Sequence, residues 1–407
     1  MRKTRIKTWG ETLCRSHFNR LIKLRNDDES PIGRTACYPA KHIEKTMIYP
    51  VDNTLLEQST KMKLSGRCGA LILSPLRLMR VFSERKQLYQ KNKTKVIVTN
   101  ETTTSTNDKN NYRIGEGGFG TVFRYVYNNR DVAIKQLHHC RHSLSSDFYS
   151  FCSELNAFRL PPSPYVVQAV AFTSSDTCLQ VVTEFIEGKN LQQLIGDDKW
   201  NVTFLHRLEL AFQVISGLVH CHNHLLLHLD IKAANIIVHV NGKTCKLSDF
   251  GCSKTATTSQ NGLLVVDDAT VNAGFGTVAY KAPELLKGQK ITDRADIYSF
   301  SLLLWELLTR ESVYNSLHPH IFIYNVVVHK LRPKIEQLNI PKGKHGRALV
   351  TLLENCWSDE LTKRPRAITV QQIIKQFIDS ERKIISFMRN SMINKESFIH
   401  IMQISEF

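Results

Sequence analysis

The sequence predicts an α+β fold of two unequal lobes, a small β-rich lobe followed by a larger α-helical one. Two patterns carry that prediction. From 113 to 137, apolar and polar residues alternate around a cluster of glycines, and short β-type runs return at 166–172 and 179–185. Beyond Leu191 the apolar spacing becomes helical, over 203–223, 293–309, 320–330, 346–357 and 368–388. A third feature marks a boundary: residues 101–111 read ETTTSTNDKNN, a polar linker without apolar anchors. Residues 1–105 are therefore expected to be a basic, largely flexible N-terminal extension. Residues 112–380 form the folded domain, and 381–407 a C-terminal helical tail.

A single helix interrupts the strands of the β-rich lobe. Phe148, Phe151, Leu155 and Phe158 recur at helical spacing, and Pro161-Pro162 ends the pattern. The apolar run around 300–308 is interrupted by Glu306 and reads as a buried helix. No stretch approaches the roughly 20 apolar residues of a membrane span.

Composition narrows the function classes. The chain has 407 residues, 42% of them hydrophobic, enough for one large or two ordinary domains. The net charge is +17, and residues 1–110 hold 22 Lys and Arg against 10 Asp and Glu. That basic excess admits a nucleic-acid or membrane-surface role, but a solvated basic extension is the simpler reading. It lacks interleaved aromatics, so nucleic acid is not expected as a partner. None of the ten Cys forms a C-x-x-C pair, which leaves a structural zinc site unsupported. The start MRKTRIKTWGETLCRSHF has no apolar h-region, so no secretory leader is expected. Together these point to a reducing, cytoplasmic setting.

The first chemical motif is Gly115-Glu116-Gly117-Gly118-Phe119-Gly120. Glycine lets backbone amides approach phosphate oxygens with no Cβ in the way. In a dinucleotide fold this pattern must open a helix. Here it opens into Thr121-Val122-Phe123-Arg124-Tyr125-Val126, which alternates like a strand, so a glycine-rich hairpin is favoured. Lys135 follows fifteen residues after Gly120 and closes the apolar run Val132-Ala133-Ile134. It is either a solvated strand end or a phosphate-directed cation in need of a carboxylate. Glu154, on the next helix, is either that carboxylate or a surface one; spacing alone leaves both open.

The second cluster is more specific. His228-Leu229-Asp230-Ile231-Lys232-Ala233-Ala234-Asn235 follows a helix, and Asp249-Phe250-Gly251 comes after the apolar stretch 236–240. An Asp for a hydroxyl proton, with an Asn and a second Asp for magnesium on adjacent loops, is what phosphoryl transfer needs. That chemistry demands positioning and fixed charge rather than covalent catalysis.

With these residues in order, 112–380 resembles the eukaryotic protein kinase domain. The resemblance implies ATP and Mg2+ as cofactors and a protein as substrate. It implies an ATP site built from Ile114, Gly115, Glu116, Gly117, Gly118, Phe119, Gly120, Thr121, Val122, Ala133 and Lys135. Thr183, at the gatekeeper position, Glu184 and Ile186 would complete that site. Asp230, Lys232, Lys135 and Glu154 would be catalytic, and Asn235 and Asp249 would hold the metal. Glu284 of Ala282-Pro283-Glu284, Asp296 and Arg364 would be structural, with Arg364 pairing Glu284. The finer resemblance is to the Mos subfamily of serine/threonine kinases, through VAIKQ at 132–136, Glu154-Leu155-Asn156, His228-Leu229-Asp230, Asp249-Phe250-Gly251-Cys252-Ser253, APELLKG at 282–288 and ADIYSF at 295–300. It implies a MAP kinase kinase as substrate, in oocyte meiosis. Ala233 and Thr183 depart from the Mos pattern. A serine/threonine kinase of another signalling branch and a pseudokinase scaffold are the alternatives, the latter disfavoured because Lys135, Asp230, Asn235 and Asp249 are all present.

Two residues speak to regulation and acceptor. An Arg at 229 would pair with a phosphate on the activation loop; Leu229 cannot. Lys232, with Thr277 ahead of Ala282-Pro283-Glu284, marks serine/threonine specificity. The segment from Lys254 to Phe275, rich in Thr, Ser, Gly and Asn, reads as a mobile activation loop. Cys252 reads as a small buried residue.

Overall fold

The computed structural model describes residues 49–50, 112–117, 120–127, 129–137, 150–174, 179–266, 276–314, 318–338 and 344–404. All lie within the unit Thr46–Phe407; the other unit, Met1–Lys45, lies outside them. The extension expected over 1–105 is likewise outside, apart from Tyr49–Pro50.

The first lobe is one antiparallel sheet. Its strands are β1 (Tyr49–Pro50), β2 (Tyr112–Gly117), β3 (Gly120–Tyr127), β4 (Arg130–Leu137), β5 (Ala169–Ser174) and β6 (Leu179–Glu184), in the order β1-β5-β6-β4-β3-β2. The glycine-rich motif forms the β2–β3 hairpin, with Gly117 opposite Gly120. At Gly120 a Cβ would run into the Gln136 carbonyl on β4, so the alternation that predicted a strand also demands a glycine. Tyr49–Pro50 pairs with Ala171 and Phe172, so a piece of the N-terminal region adds to the sheet edge. A helical segment at 150–154 passes into a 3-10 turn, Leu155–Arg159, and packs Phe151 and Phe158 edge-on against Phe172.

The second lobe is helical. Its elements are α1 (Leu191–Ile195), α2 (Phe204–Asn223), α3 (Pro283–Leu286), α4 (Arg294–Thr309), α5 (Pro319–Val327), α6 (Lys344–Cys356) and α7 (Ala367–Ile404). Asn190 caps α1 in a reciprocal box with Gln193, and Thr203 caps α2 through the His206 amide. Helix α4 is buried from Arg294 to Leu308 and is the axis on which α2 and α6 pack. It is buried on every side, its polar residues Asp296 and Glu306 included, as befits an interior helix. Helix α7 runs on to Ile404, so the helical tail expected from 381 is a continuation of the last domain helix.

Short strands cross the interior. They are β7 (Gly188–Asn190), β8 (Leu226–Leu227), β9 (Ile236–His239), β10 (Cys245–Leu247), β11 (Lys254–Thr255), β12 (Thr257–Thr258) and β13 (Leu264–Val265). The activation loop expected over 254–275 is therefore structured in its first half. β11 pairs with β8, and β12 pairs with β13. The cause is apolar: Ala256, Leu264 and Val266 bury against Leu227 and Ile291. Residues 267–275 lie outside the described residues.

The base of the helical lobe is tied by an ion pair. Arg364 donates from both terminal guanidinium nitrogens to Glu284, at 2.7 and 2.9 Å, and both residues are buried. It also donates to the carbonyls of Ser358 and Arg294 and lies over the Tyr298 ring. Removing one partner of such a pair strands a buried charge. Arg364→Ala is expected to lower the unfolding free energy by about 3–5 kcal/mol. Urea titration of the whole chain checks this, and a loss below about 1 kcal/mol, the level of a surface pair, would contradict it.

Candidate active site

Strand register decides which of the residues expected at an ATP site share one side of the small lobe's sheet. Lys135 stands opposite Val122 on β3 and Val181 on β6, and Ala133 stands opposite Thr183. Residues two apart share a face, so Val122, Ala133, Lys135 and Thr183 project on one side of the sheet. Thr121 pairs with Gln136 and falls on the other side. Ile114 and Glu116 are exposed on β2 beside Gly115 and Gly117, while Gly118 and Phe119 lie outside the described residues. Glu184 differs from what its place in an ATP site suggests. Its carboxylate accepts from the Gln168 amide at 2.8 Å and from Lys246 at 2.7 Å, so it braces the connection between lobes. Its main-chain amide is taken as well, by the Gln168 carbonyl at 2.9 Å. Ile186 is half-buried on the same connection.

The alternatives left open for Lys135 and Glu154 are resolved by geometry. Lys135 Nζ donates to Glu154 Oε1 at 2.5 Å and to Asp249 Oδ1 at 2.7 Å. One ammonium thus serves two carboxylates. Burial works to lower the lysine's pKa, but the charges of Asp249 and Glu154 outweigh it and hold the group well above its usual value. Asp249 is under the opposite pressure from burial, yet Lys135 holds it well below the usual carboxylate range. Glu154 is the weaker competitor: burial pushes it up to about 7 despite Lys135. Glu154 Oε2 also accepts from the Phe250 amide, so the helix and the Asp249-Phe250-Gly251 loop are locked together.

The catalytic-type loop is held from behind. Asp296, on α4, accepts from the His228 amide at 3.0 Å, the Leu229 amide at 2.7 Å and the His222 ring at 2.8 Å. Leu229 has φ of 63°, a left-handed conformation that a leucine adopts only when its surroundings enforce it. The His228 ring donates from Nε2 to the Ser248 carbonyl and accepts at Nδ1 from the Asp230 amide, which fixes the neutral tautomer. Burial lowers its pKa in the same sense.

That scaffold orients Asp230. Oδ1 accepts from the Thr277 amide at 2.8 Å; Oδ2 accepts from Lys232 at 2.8 Å and from Asn235 at 3.1 Å. Lys232 also donates to Thr277 Oγ1 at 2.6 Å, joining the loop to the activation segment. The Asn235 amide nitrogen is spent on Asp230, so its oxygen is what it can offer a cation. Among the described residues no cluster of three or more His, Cys, Asp or Glu is arranged to hold a metal. One carboxylate, Asp249, and one amide oxygen, Asn235, nevertheless fit magnesium, which takes few protein ligands and completes its shell with phosphate and water.

Three hydrogen bonds were not foreseen from sequence. Asn156 donates to the backbone and side chain of Ser253, and Ser253 donates to the Ser153 carbonyl. They fasten the Glu154 helix to the residues after Gly251. The only hint was their occurrence in the segments that resemble Mos. Cys252 is buried, and burial pushes its thiol up to about 12, in keeping with a packing role.

The divided carboxylates give a pH signature. Glu154 is raised from its ordinary 4.5 to about 7, so the folded chain binds more protons than the unfolded one between those values. Stability must fall as pH rises through that window. Asp249 titrates below it. The unfolding free energy of the wild-type chain, measured against Glu154→Gln, is expected to drop by on the order of 3 kcal/mol from pH 4.5 to 7.5. Urea titrations at several pH values check this; a difference independent of pH would refute it.

Comparison with known proteins agrees with the geometry. The protein kinase domain family matches residues 109–377. A serine/threonine-protein kinase mos from Patiria pectinifera is 32% identical over 275 residues, covering 67% of this chain and 75% of the relative. The proto-oncogene serine/threonine-protein kinase mos of Mus musculus is 33% identical over 279 residues, covering 65% and 79%. That of Rattus norvegicus is 32% identical over 283 residues, covering 65% and 80%. The chain therefore belongs to the protein kinase family, as a serine/threonine kinase related to Mos.

Proposed function

We propose that this kinase phosphorylates a MAP kinase kinase, using ATP and Mg2+, to drive the MAP kinase cascade in oocyte meiosis, and that it works in the cytoplasm. Relatedness to Mos supports the substrate and the setting. The observation that carries the chemistry is Lys232, which donates at once to Asp230 Oδ2 and Thr277 Oγ1.

On this reading Asp230 accepts the proton of the substrate hydroxyl, its carboxylate held in one orientation by Thr277, Lys232 and Asn235. Lys232 places positive charge where the transferred group becomes more negative. Lys135, steadied by Glu154 and Asp249, presents its ammonium to nucleotide phosphates. Val122, Ala133 and Thr183 line the adenine side of the sheet face, and the Gly115–Gly120 hairpin covers the phosphates. Asp249 and Asn235 would hold magnesium, which when bound neutralises phosphate charge. Glu284, Asp296 and Arg364 keep the frame.

The test is an assay of the purified chain with Mg2+, ATP and a panel of catalytically inactive MAP kinase kinases. Phosphate is expected on Ser or Thr of at least one, with a loss of at least about a hundredfold in Asp230→Asn. A chain active on a generic protein and inert toward the whole panel would remove the substrate assignment and keep the kinase.

Activation-loop phosphate has no Arg at 229 to meet. Leu229 instead packs with Leu227, Ala256, Leu264, Val266 and Ile291, so apolar burial does the ordering that an Arg–phosphate pair would otherwise do. Phosphatase-treated enzyme is expected to retain most of its activity toward the same substrate. A collapse of activity traced to sites within 254–275 would sink this account.

A further inference from the structure

Two histidines at the end of α2 take no part in the phosphoryl-transfer site. His220 stands on the last turn and His224 is the cap residue four positions on, so both lie on one face of the helix. Their ring centroids are 4.7 Å apart. His220 is half-buried and His224 exposed. Each ring is held by a backbone carbonyl. His220 Nε2 donates to the Pro161 carbonyl at 3.0 Å, and His224 Nδ1 donates to the His220 carbonyl at 2.7 Å. The two residues near them that could add a ligand are committed elsewhere: Cys221 is buried, and buried His222 is bonded to Asp296.

Those two bonds decide the tautomers. A carbonyl oxygen only accepts, so the ring proton sits on Nε2 of His220 and on Nδ1 of His224. A neutral imidazole has one N–H, so Nδ1 of His220 and Nε2 of His224 are left as lone pairs. Neither nitrogen has a partner among the described residues. Metal-binding histidines are prepared in this way: one N–H given to a carbonyl fixes the tautomer and the ring, and the other nitrogen takes the ion. Capping the helix explains the His224 bond to a carbonyl, but it does not require a second imidazole beside it. The field also suits a cation. The 20-residue helix α2 ends here, at the negative end of its dipole, and the sequence has no Lys or Arg from 208 to 231.

We propose that His220 and His224 bind one divalent transition-metal ion of the zinc and copper type, through Nδ1 of His220 and Nε2 of His224. Histidines at i and i+4 on a helix are a spacing that zinc accepts, with water completing the shell. Imidazole nitrogen suits Zn2+, Cu2+ and Ni2+, whereas Mg2+ prefers oxygen. The site is therefore chemically distinct from Asp249 and Asn235, and the two sites select different ions. Its occupant would clip the end of α2 from which the chain runs through Leu226–Leu227 to Asp230. Through the His220 bond to Pro161 it would also steady the turn that follows the Glu154 segment.

The test titrates Zn2+ into the full chain by calorimetry, with Mg2+ in excess, for wild type, His224→Gln and His220→Asn. The Cys and His residues at 138–142 lie outside the described residues and are the same in all three chains, so any difference belongs to the pair. Wild type is expected to bind one Zn2+ that each variant loses or holds about tenfold or more weakly. Zn2+ is also expected to raise the unfolding midpoint of wild type more than that of His224→Gln. Equal stoichiometry and affinity in wild type and either variant overturn the proposal, as does displacement of the ion by Mg2+. Should His220→Asn fail to fold, the exposed His224→Gln change decides together with Cu2+ paramagnetic resonance. Two nitrogen ligands in wild type and one in His224→Gln support the pair; the same nitrogen count in both refutes it.

Discussion

The arrangement of the site depends on one buried carboxylate. Asp296 is fully enclosed, and its two oxygens take the amides of His228 and Leu229 together with the His222 ring. Burial alone would push its pKa up, but the bond from His222 and the neighbouring donors outweigh it, so the group sits below its usual value. Those bonds hold Leu229 in a left-handed conformation that costs about 1–2 kcal/mol. The turn so forced is what delivers Asp230, Lys232 and Asn235 side by side. Asp249 lies in a second left-handed turn, and both bent loops are bridged by His228, whose ring packs on Phe250 at 4.9 Å.

From that base the two lobes are coupled by polar contacts and the activation segment by apolar ones. Lys135, Glu154 and Asp249 connect β4, the helical segment at 150–154 and the Asp249 loop through a single ammonium. Asn156 and Ser253 repeat the connection two residues beyond Glu154 and four beyond Asp249. The segment 254–266, in contrast, is secured mainly by burial. Leu229 touches both the main core and the small cluster around Leu227, Leu264 and Ile291. Leu229 is half-buried, so its packing contributes a part of the ~1.5–3 kcal/mol of a fully buried leucine, independent of any modifying enzyme.

Much of this was legible in the residues themselves. The glycine hairpin, the strand carrying Lys135 and the loops at Asp230 and Asp249 stand out as local sequences, although the Asp230 loop takes its final shape from Asp296. The helices at 203–223 and 293–309 were placed within a residue of their ends because long periodic segments carry redundant signal. Other features were not legible. The strands at 254–266 are two residues long and polar on one side, too short for alternation to register. Glu184 looked like a member of a nucleotide site, and its carboxylate turned to Lys246, a residue 62 positions away. Whether Glu154 is a surface carboxylate or the partner of Lys135 is undecidable from spacing, because both readings place it on the same helix.

The sequence by itself determined which groups are on offer: a glycine run at 115–120, the Asp230 and Asp249 carboxylates, the Asn235 amide, and a leucine rather than an arginine at 229. These follow from residue identity and near-neighbour spacing, which the chain carries in one dimension. Only the tertiary structure decided how the one ammonium is shared between Glu154 and Asp249, and that Leu229 works as a packing group. Each of those depends on which distant surfaces meet. That is settled by burying the core around α4 as a whole, and no local pattern encodes it.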